Sequence, residues 1–189
     1  LINASLYKQI RPGDIRRAWW DPDDKESPYI SKKFKFTNVA AWLGDYIYMR
    51  VEEFYFDAAE AALRLGDKDK AVRYLNAVMQ KRDATFDASN LDGTMLGSLT
   101  TSWTGSLLEN ILVQKRIELW GEFGRLVDVR RLGQGIDRKT SDGFAEECIS
   151  TMSGNGINLT NPDTYDWVMT IPQDEINNNP NINEEDQNP

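Results

Sequence analysis

The chain has 189 residues, 40% of them hydrophobic, with a formal net charge of -8, one cysteine and no histidine. Its length and apolar content suit one ordinary domain or a large piece of a bigger protein, and they exclude wholesale disorder. The acidic balance and dispersed Lys and Arg argue against nucleic acid or anionic membrane as partner, and without histidine there is no Ser-His or Cys-His nucleophile and no histidine-ligated zinc.

The lone Cys148 leaves no internal disulfide framework and reads as a small filler residue. No apolar run approaches the roughly 18 residues of a membrane span. The opening LINASLYKQIRPGD has neither the basic nor the apolar region of a signal peptide, so any targeting signal is expected upstream. Leu1 to Arg17 predicts a short helix or two, broken at Pro12-Gly13, with Asp14 placed to cap the second. Trp19 and Trp20 precede DPDDKESP, an acidic loop whose aspartates have the donors for a hard cation. No glycine and glutamate follow at calcium-loop spacing, so a solvated turn is expected and no metal is assigned. Tyr29 to Val39 alternates weakly about Phe34 and Phe36, which predicts a strand or an extended arm.

Tyr46 to Arg82 predicts a helical hairpin, with Gly66 ending its first helix and Asp67 capping its second. Val51, Phe54, Tyr55, Ala58, Ala62 and Leu65 are expected to line the first helix, and Ala71, Leu75 and Val78 the second. The small residues allow close approach, and their spacing matches much of the tetratricopeptide pattern. One such unit cannot bury both faces, so something must stack on it. Asp83 to Gly105 reads as a long loop with Leu96 and Trp103 as anchors.

The most strongly patterned stretch is Leu107 to Leu132, LLENILVQKRIELWGEFGRLVDVRRL, predicted as one long organising helix that stacks on the hairpin. Leu108, Leu112, Leu119, Phe123 and Leu126 fall near one line of its wheel, with Val113, Ile117, Trp120 and Val127 beside them. Lys115, Glu118, Glu122 and Arg125 lie opposite. Glu118 and Glu122, four apart, repel unless a cation sits between them, from Arg125 or another segment. Arg116 falls in the apolar arc, where it should meet a carboxylate or several carbonyls. Gly121 and Gly124 inside the pattern point to close packing or a bend, and Gly133 and Gly135 end it. Gln134 to Tyr165 predicts a second irregular excursion with a short helix near Phe144 to Ile149. Trp167 to Pro189 predicts an extended arm whose asparagine-rich end has the composition of a disordered tail.

Three pieces together resemble the C-terminal portion of the SusD/RagB family, outer-membrane nutrient-binding lipoproteins of Bacteroidetes. Arg50 to Glu53 followed by Ala59-Glu60-Ala61 is similar to the family's R-x-x-E leading into an A-E-A helix. Lys115-Arg116-Ile117-Glu118-Leu119 with Glu122, Gly124, Arg125, Asp128 and Arg130 is similar to its E-R-R-x-E-L and E-G-x-R-x-x-D-x-x-R run. Ile171-Pro172 with Glu175, then Asn179-Pro180 and Gln187-Asn188, is similar to its closing I-P-x-x-E and N-P-x-x-x-Q-N. The sequence departs from the pattern at Gln114, where glutamate is frequent, at Phe123, which interrupts E-G, and in the length of the segment from Asn181 to Gln187.

The resemblance implies an all-α scaffold of tetratricopeptide-like hairpins with long irregular loops. It also implies a non-catalytic cell-surface protein, anchored through an upstream lipidated cysteine, that binds a nutrient, usually a glycan, and delivers it to a SusC-like TonB-dependent transporter. No cofactor is implied. Glycan binding needs aromatic faces for sugar rings and amides or carboxylates for hydroxyls. Trp103 in its polar loop is the first candidate, then Trp42, Trp19, Trp20 and Tyr29, with Asp87, Asn90 and Asp92 as polar partners. Each of these aromatics can equally fill a crevice between helices. A protein-binding helical-repeat scaffold is the second reading. A glycoside hydrolase using Glu118 and Glu122 is the third, disfavoured because a packed helix face offers no cleft.

Overall fold

Asn3 starts the first helix, α1 (Ala4–Tyr7), by accepting hydrogen bonds from the backbone N–H groups of Ser5 at 2.7 Å and Leu6 at 3.3 Å. This computed structural model describes all residues except 35–37, 39, 42, 46, 123, 141, 142, 145, 152–157, 169, 188 and 189. Asp14 caps a 3-10 helix, Ile15–Trp19, as its position predicts. Strand β1 (Trp20–Asp21) then pairs antiparallel with β2 (Ile30–Ser31), so among the described residues of the expected arm two join a regular strand, and Phe36 lies outside the described residues. Tyr29 turns the chain into β2 with a left-handed φ of 65°.

The hairpin consists of α2 (Val51–Arg64) and α3 (Lys68–Met79). Glu52 and Glu53 sit in the first turn of α2 and Arg64 in its last, each favourable to the helix dipole. Gly66 leaves α2 at φ +85°, and the Asp67 side chain accepts from the Lys70 N–H at 3.0 Å to open α3. The packed face of α2 is Phe56, Ala59, Ala62 and Leu63; Val51, Phe54, Tyr55 and Leu65, expected inside, are exposed. The two stripes lie side by side on the wheel, and packing against α3 and α4 (Leu107–Glu118) together selects the one that carries Phe56.

Ser106 caps α4 by accepting from the Glu109 N–H at 3.0 Å, and the Glu109 carboxylate accepts from the Thr104 and Gly105 N–H groups at 2.7 and 2.6 Å. This helix is the wall between two cores. Leu107, Leu108, Ile111 and Leu112 face the hairpin, while Val113 and Ile117 face a second cluster built on Ile2, Leu6, Tyr7, Ile10 and Trp20. Every residue of α4 except Asn110 and Arg116 is buried, Lys115 and Glu118 included. The wheel placed Arg116 inside the apolar arc and those two charges opposite it, because it allowed for one core where the helix serves two.

The predicted single helix over 107–132 is two. It stops at Glu118, turns through Gly121 and Gly124 at φ +77° and +96°, and resumes as α5 (Arg125–Leu132). A side chain at Gly121 would also meet the Phe34 ring at 2.5 Å, so glycine serves both bend and packing there. Arg131 ties α5 to α2 through two 2.6 Å hydrogen bonds to Glu60. The tail is more regular than an extended arm. Helix α6 (Gln173–Asn178) and a capped 3-10 turn, Glu184–Asp186, occupy its asparagine-rich part, and Gln187 clasps the Ile171 backbone at 2.8 and 2.9 Å. The short helix expected near Phe144 to Ile149 is a 3-10 turn, Glu146–Cys148. No described helix is long and apolar enough to cross a membrane.

Candidate ligand-binding site

The densest charge in the molecule surrounds Glu118, whose side chain is 0% exposed. Arg16 Nη1 donates to it at 3.2 Å, Arg50 Nη1 at 3.0 Å, and Arg82 through Nε at 3.1 Å and Nη2 at 2.8 Å. Arg50 Nε also donates to Glu122 at 2.9 Å, and Lys33 pairs with Glu122 while donating to the Glu118 and Trp120 carbonyls at 2.7 and 2.9 Å. The cations between the two glutamates are therefore Arg50 and Lys33, brought from outside the helix, and Arg125 makes no contact with either. Burial works against the Glu118 charge, yet the Arg82 hydrogen bond and the fields of Arg16, Arg82 and Arg50 hold its carboxyl below the ordinary glutamate range. Arg16, equally buried, is completed by Asp14 at 2.6 Å and by the Gln114 side chain. A carboxylate saturated by three guanidiniums and closed to solvent is built to brace segments, and it presents no free acid or nucleophile.

The sequence-nominated aromatics gather in the second core. Trp20 is 3% exposed and meets Tyr7 and Trp120 edge-on at centroid distances of 6.5 and 5.7 Å. Trp19 lies 5.9 Å from Trp20 and carries the Lys33 ammonium over its ring at 5.1 Å. Tyr29 packs against Tyr7 at 5.4 Å. Trp103 joins this cluster and donates its Nε1–H to the Ser5 hydroxyl at 3.1 Å. The nominated polar partners lie with the hairpin instead. Asp87 is exposed and bound to Asn76 and Ser89, Asp92 is exposed beside Lys68 at 3.6 Å, and Asn90 is exposed. Trp42 lies outside the described residues. The Asp21 and Asp24 carboxylates of the acidic loop are occupied by Lys32 and by backbone N–H groups, and no metal-binding cluster is found among the described residues.

A cavity of about 370 Å³ opens beside the α4–α5 break. Its wall combines Trp120 and Leu126 with Arg116, Arg125, Arg138 and Asp137. A small adjoining recess carries Trp103 and Gln134 and shares Arg116 and Arg125. Gly135 sets the far wall. Its N–H donates to Ser98 O and its carbonyl accepts from Thr100 N–H, both at 2.8 Å, while Ile136 N–H donates to Leu159 O at 2.8 Å. Three segments thus converge and deliver Asp137 and Arg138 to the cavity. The Thr100 carbonyl accepts from Arg116 Nη1 at 2.6 Å. An aromatic edge beside guanidinium and carboxylate groups, in a space of ligand size, suits a ring-shaped polar molecule, which needs stacking and many hydrogen bonds together.

Residues 26–189 match the profile of the SusD family. The chain belongs to that family. No curated protein sequence matches it. The SusD-family fold also relates it to crystal structures from Bacteroides vulgatus. A candidate sugar binding protein is 28% identical with a TM-score of 0.61, over 97% of this chain and 37% of that one. A SusD-like carbohydrate binding protein is 25% identical with a TM-score of 0.64, over 95% of this chain and 40% of that one. The present chain therefore spans about two fifths of the length of these SusD-family relatives.

Within this SusD-family chain, sequence reasoning missed Arg125 and Arg138 as cavity residues. Arg125 reads on a continuous helical wheel as the partner of Glu118 and Glu122, and the bend at Gly121 and Gly124 removes it from both. Arg138 sits in an irregular segment with no periodicity to aim it. The nearest signal was the pair of glycines inside the pattern, which marked the bend without giving its direction.

Proposed function

We propose that this chain is part of a non-catalytic cell-surface protein that captures a glycan and hands it to a SusC-like TonB-dependent transporter in the outer membrane, tethered through a lipidated cysteine upstream of Leu1. The observation that carries the reading is the Trp120-edged cavity with its hydrogen-bonding wall. Membership of a family whose solved relatives are described as sugar or carbohydrate binding supports the cargo class. The braced state of Glu118 favours capture over hydrolysis. Of the residues nominated from sequence, Trp103, beside the cavity, is proposed as a ligand contact. Trp19, Trp20 and Tyr29 are proposed as the shell that fixes Trp120, while Asp87, Asn90 and Asp92 are proposed as surface groups near the hairpin.

Glycan-array binding by the full chain, with no product released on prolonged incubation, is the expected result. Hydrolysis that is lost on substitution of Glu118 or Glu122 in protein that still folds would overturn the bracing role given to those residues, and hydrolysis that survives it would overturn the non-catalytic reading. The tether predicts a precursor whose first thirty or so residues hold a signal peptide ending at cysteine. A second reading, a protein-binding scaffold, is favoured by the uncovered apolar stripe Val51, Phe54 and Tyr55 on α2 and by Leu65 at 86% exposure. A silent glycan array together with specific protein capture by that stripe would select it.

A further inference from the structure

The charges around the cavity do not balance locally. Asp128 is occupied by Lys115 at 3.3 Å and Arg131 at 2.8 Å, and Asp137 by Lys139 at 3.2 Å and the Thr101 hydroxyl at 2.7 Å. Against them stand three guanidiniums from three segments: Arg116 on α4, Arg125 at the start of α5, and Arg138 beyond Gly135. Each has five N–H donors. Arg116 uses one on the Thr100 carbonyl, Arg138 lies over the Phe144 ring at 5.3 Å, and Arg125 makes neither hydrogen bond nor ion pair among the described residues. Burial, then repulsion from Arg125 and Arg138, pushes Arg116 well below the usual arginine range, and burial lowers Arg125 to about 10. Among the described residues, the arginines gathered at Glu118 and at Glu60 each surround a carboxylate. Asp128 attracts Arg125 without bonding to it, so the cations of the cavity wall outnumber its carboxylates, and in a protein of net charge -8 that excess is a specific local feature.

We infer that this cavity takes a short saccharide bearing a carboxylate, of the uronic acid class, with the carboxylate on Arg116, Arg125 and Arg138 and the sugar ring against Trp120. The planar guanidinium fork matches a carboxylate in two-point geometry, and burial of Arg116 and Arg125 strengthens the charge-assisted bonds they offer, while Arg138 stands at the exposed rim. The overall negative charge disfavours a long polyanion, which would meet acidic surface beyond the cavity, so a short ligand with few charges fits best. This inference rests on the glycan-capture reading and narrows its cargo.

Calorimetric titration of the full chain at low salt tests it with a glucuronate-containing disaccharide, its neutral glucose counterpart and inorganic sulfate. The uronate should bind at least about tenfold more tightly than the neutral sugar, a factor set by one well-made charged contact. Arg125→Gln and Arg138→Gln should each reduce uronate affinity to the neutral level, and the melting temperature of the free protein should hold or rise because mutual repulsion falls. Equal affinities for acidic and neutral sugars, unaffected by either variant, would overturn the inference and leave glycan capture standing. Failure of every saccharide on array and in titration would remove both. Sulfate binding as tightly as the uronate would reveal an inorganic-anion site and also overturn it. A melting temperature several degrees lower in both variants would mark these arginines as braces of the fold, with the same consequence.

Discussion

Arg50 reaches Glu118 at 3.0 Å across 68 positions of sequence, joining the residue that caps α2 to the last residue of α4. The same guanidinium donates to the Glu118 carbonyl at 2.6 Å and to the Glu122 carboxylate at 2.9 Å. It therefore satisfies an orphan carbonyl at a helix end and two carboxylates that repel each other. Three segments depend on this one side chain.

Replacing Glu118 with Gln leaves Arg16 buried without its full counter-charge. Loss of one partner from a buried pair costs about 3 kcal/mol or more, and in a domain of this size that lowers the melting temperature by about 6–12 °C. Thermal denaturation by circular dichroism checks this. A shift within a degree or two of zero would mean that the network does not hold the fold.

Glu122→Gln is milder because the amide keeps a hydrogen-bonding oxygen for Lys33 and Arg50, both of which retain carbonyl or carboxylate partners at Glu118. The expected loss is about 1 kcal/mol. Ligand binding by the surviving folded protein should be unchanged. Lost binding with an unaltered melting curve would give Glu122 a place in the site that its partners do not support.

Acid should unfold the chain through the same carboxylates. Burial opposes the charge of Glu60 as of Glu118, but hydrogen bonds from Arg131 and Arg64 hold Glu60 below its ordinary range, and Arg82, Arg16 and Arg50 do so for Glu118. A carboxyl depressed in the folded state binds its proton more readily when unfolded, so stability is full above the unfolded glutamate value near 4.5 and falls as pH drops through the folded value. Chemical denaturation midpoints measured from pH 7 to pH 3 should hold above about pH 5 and then decline. Glu118→Gln should flatten that decline. A midpoint that falls between pH 7 and pH 6 would point to other groups.

How much of the molecule is legible in its sequence depends on the range of the forces involved. The hairpin, its Gly66-Asp67 turn and the caps at Asp14 and Asp67 are local matters of backbone freedom and side-chain reach, and they appear where expected. The buried stripe of α2 lies one position round the wheel from the expected one, since Phe54 and Tyr55 are as apolar as Phe56 and only packing against α3 and α4 decides among them. The partners of Glu118 come from Arg16, Arg50 and Arg82, distances of chain over which no periodicity carries information. Trp120, placed by the wheel beside the apolar line of its helix, also edges the cavity, and Trp103, expected as a loop anchor and as the first ligand candidate, is tied to Ser5 and lines the adjoining recess. An amphipathic ring serves both roles, so residue type alone does not separate them.

Two glycines separate backbone freedom from close packing. Gly133 sits at φ +61° with nothing within 4 Å of an added Cβ, so Gly133→Ala should cost about 1 kcal/mol of left-handed strain and leave ligand binding intact. Gly135 has no such φ, but an added Cβ would lie 1.8 Å from the Thr160 carbonyl oxygen and 2.5 Å from its carbon, both backbone atoms that cannot rotate away. Gly135→Ala must therefore part the segment at 135–136 from Thr160, breaking the 2.8 Å hydrogen bond from Ile136 N–H to Leu159 O and shifting Asp137 and Arg138 on the cavity wall. The expected result is a loss of roughly 2 kcal/mol or more by denaturant titration, together with weakened ligand binding by the protein that remains folded. If Gly133→Ala proved as damaging as Gly135→Ala, the convergence at Gly135 would not be what positions that wall.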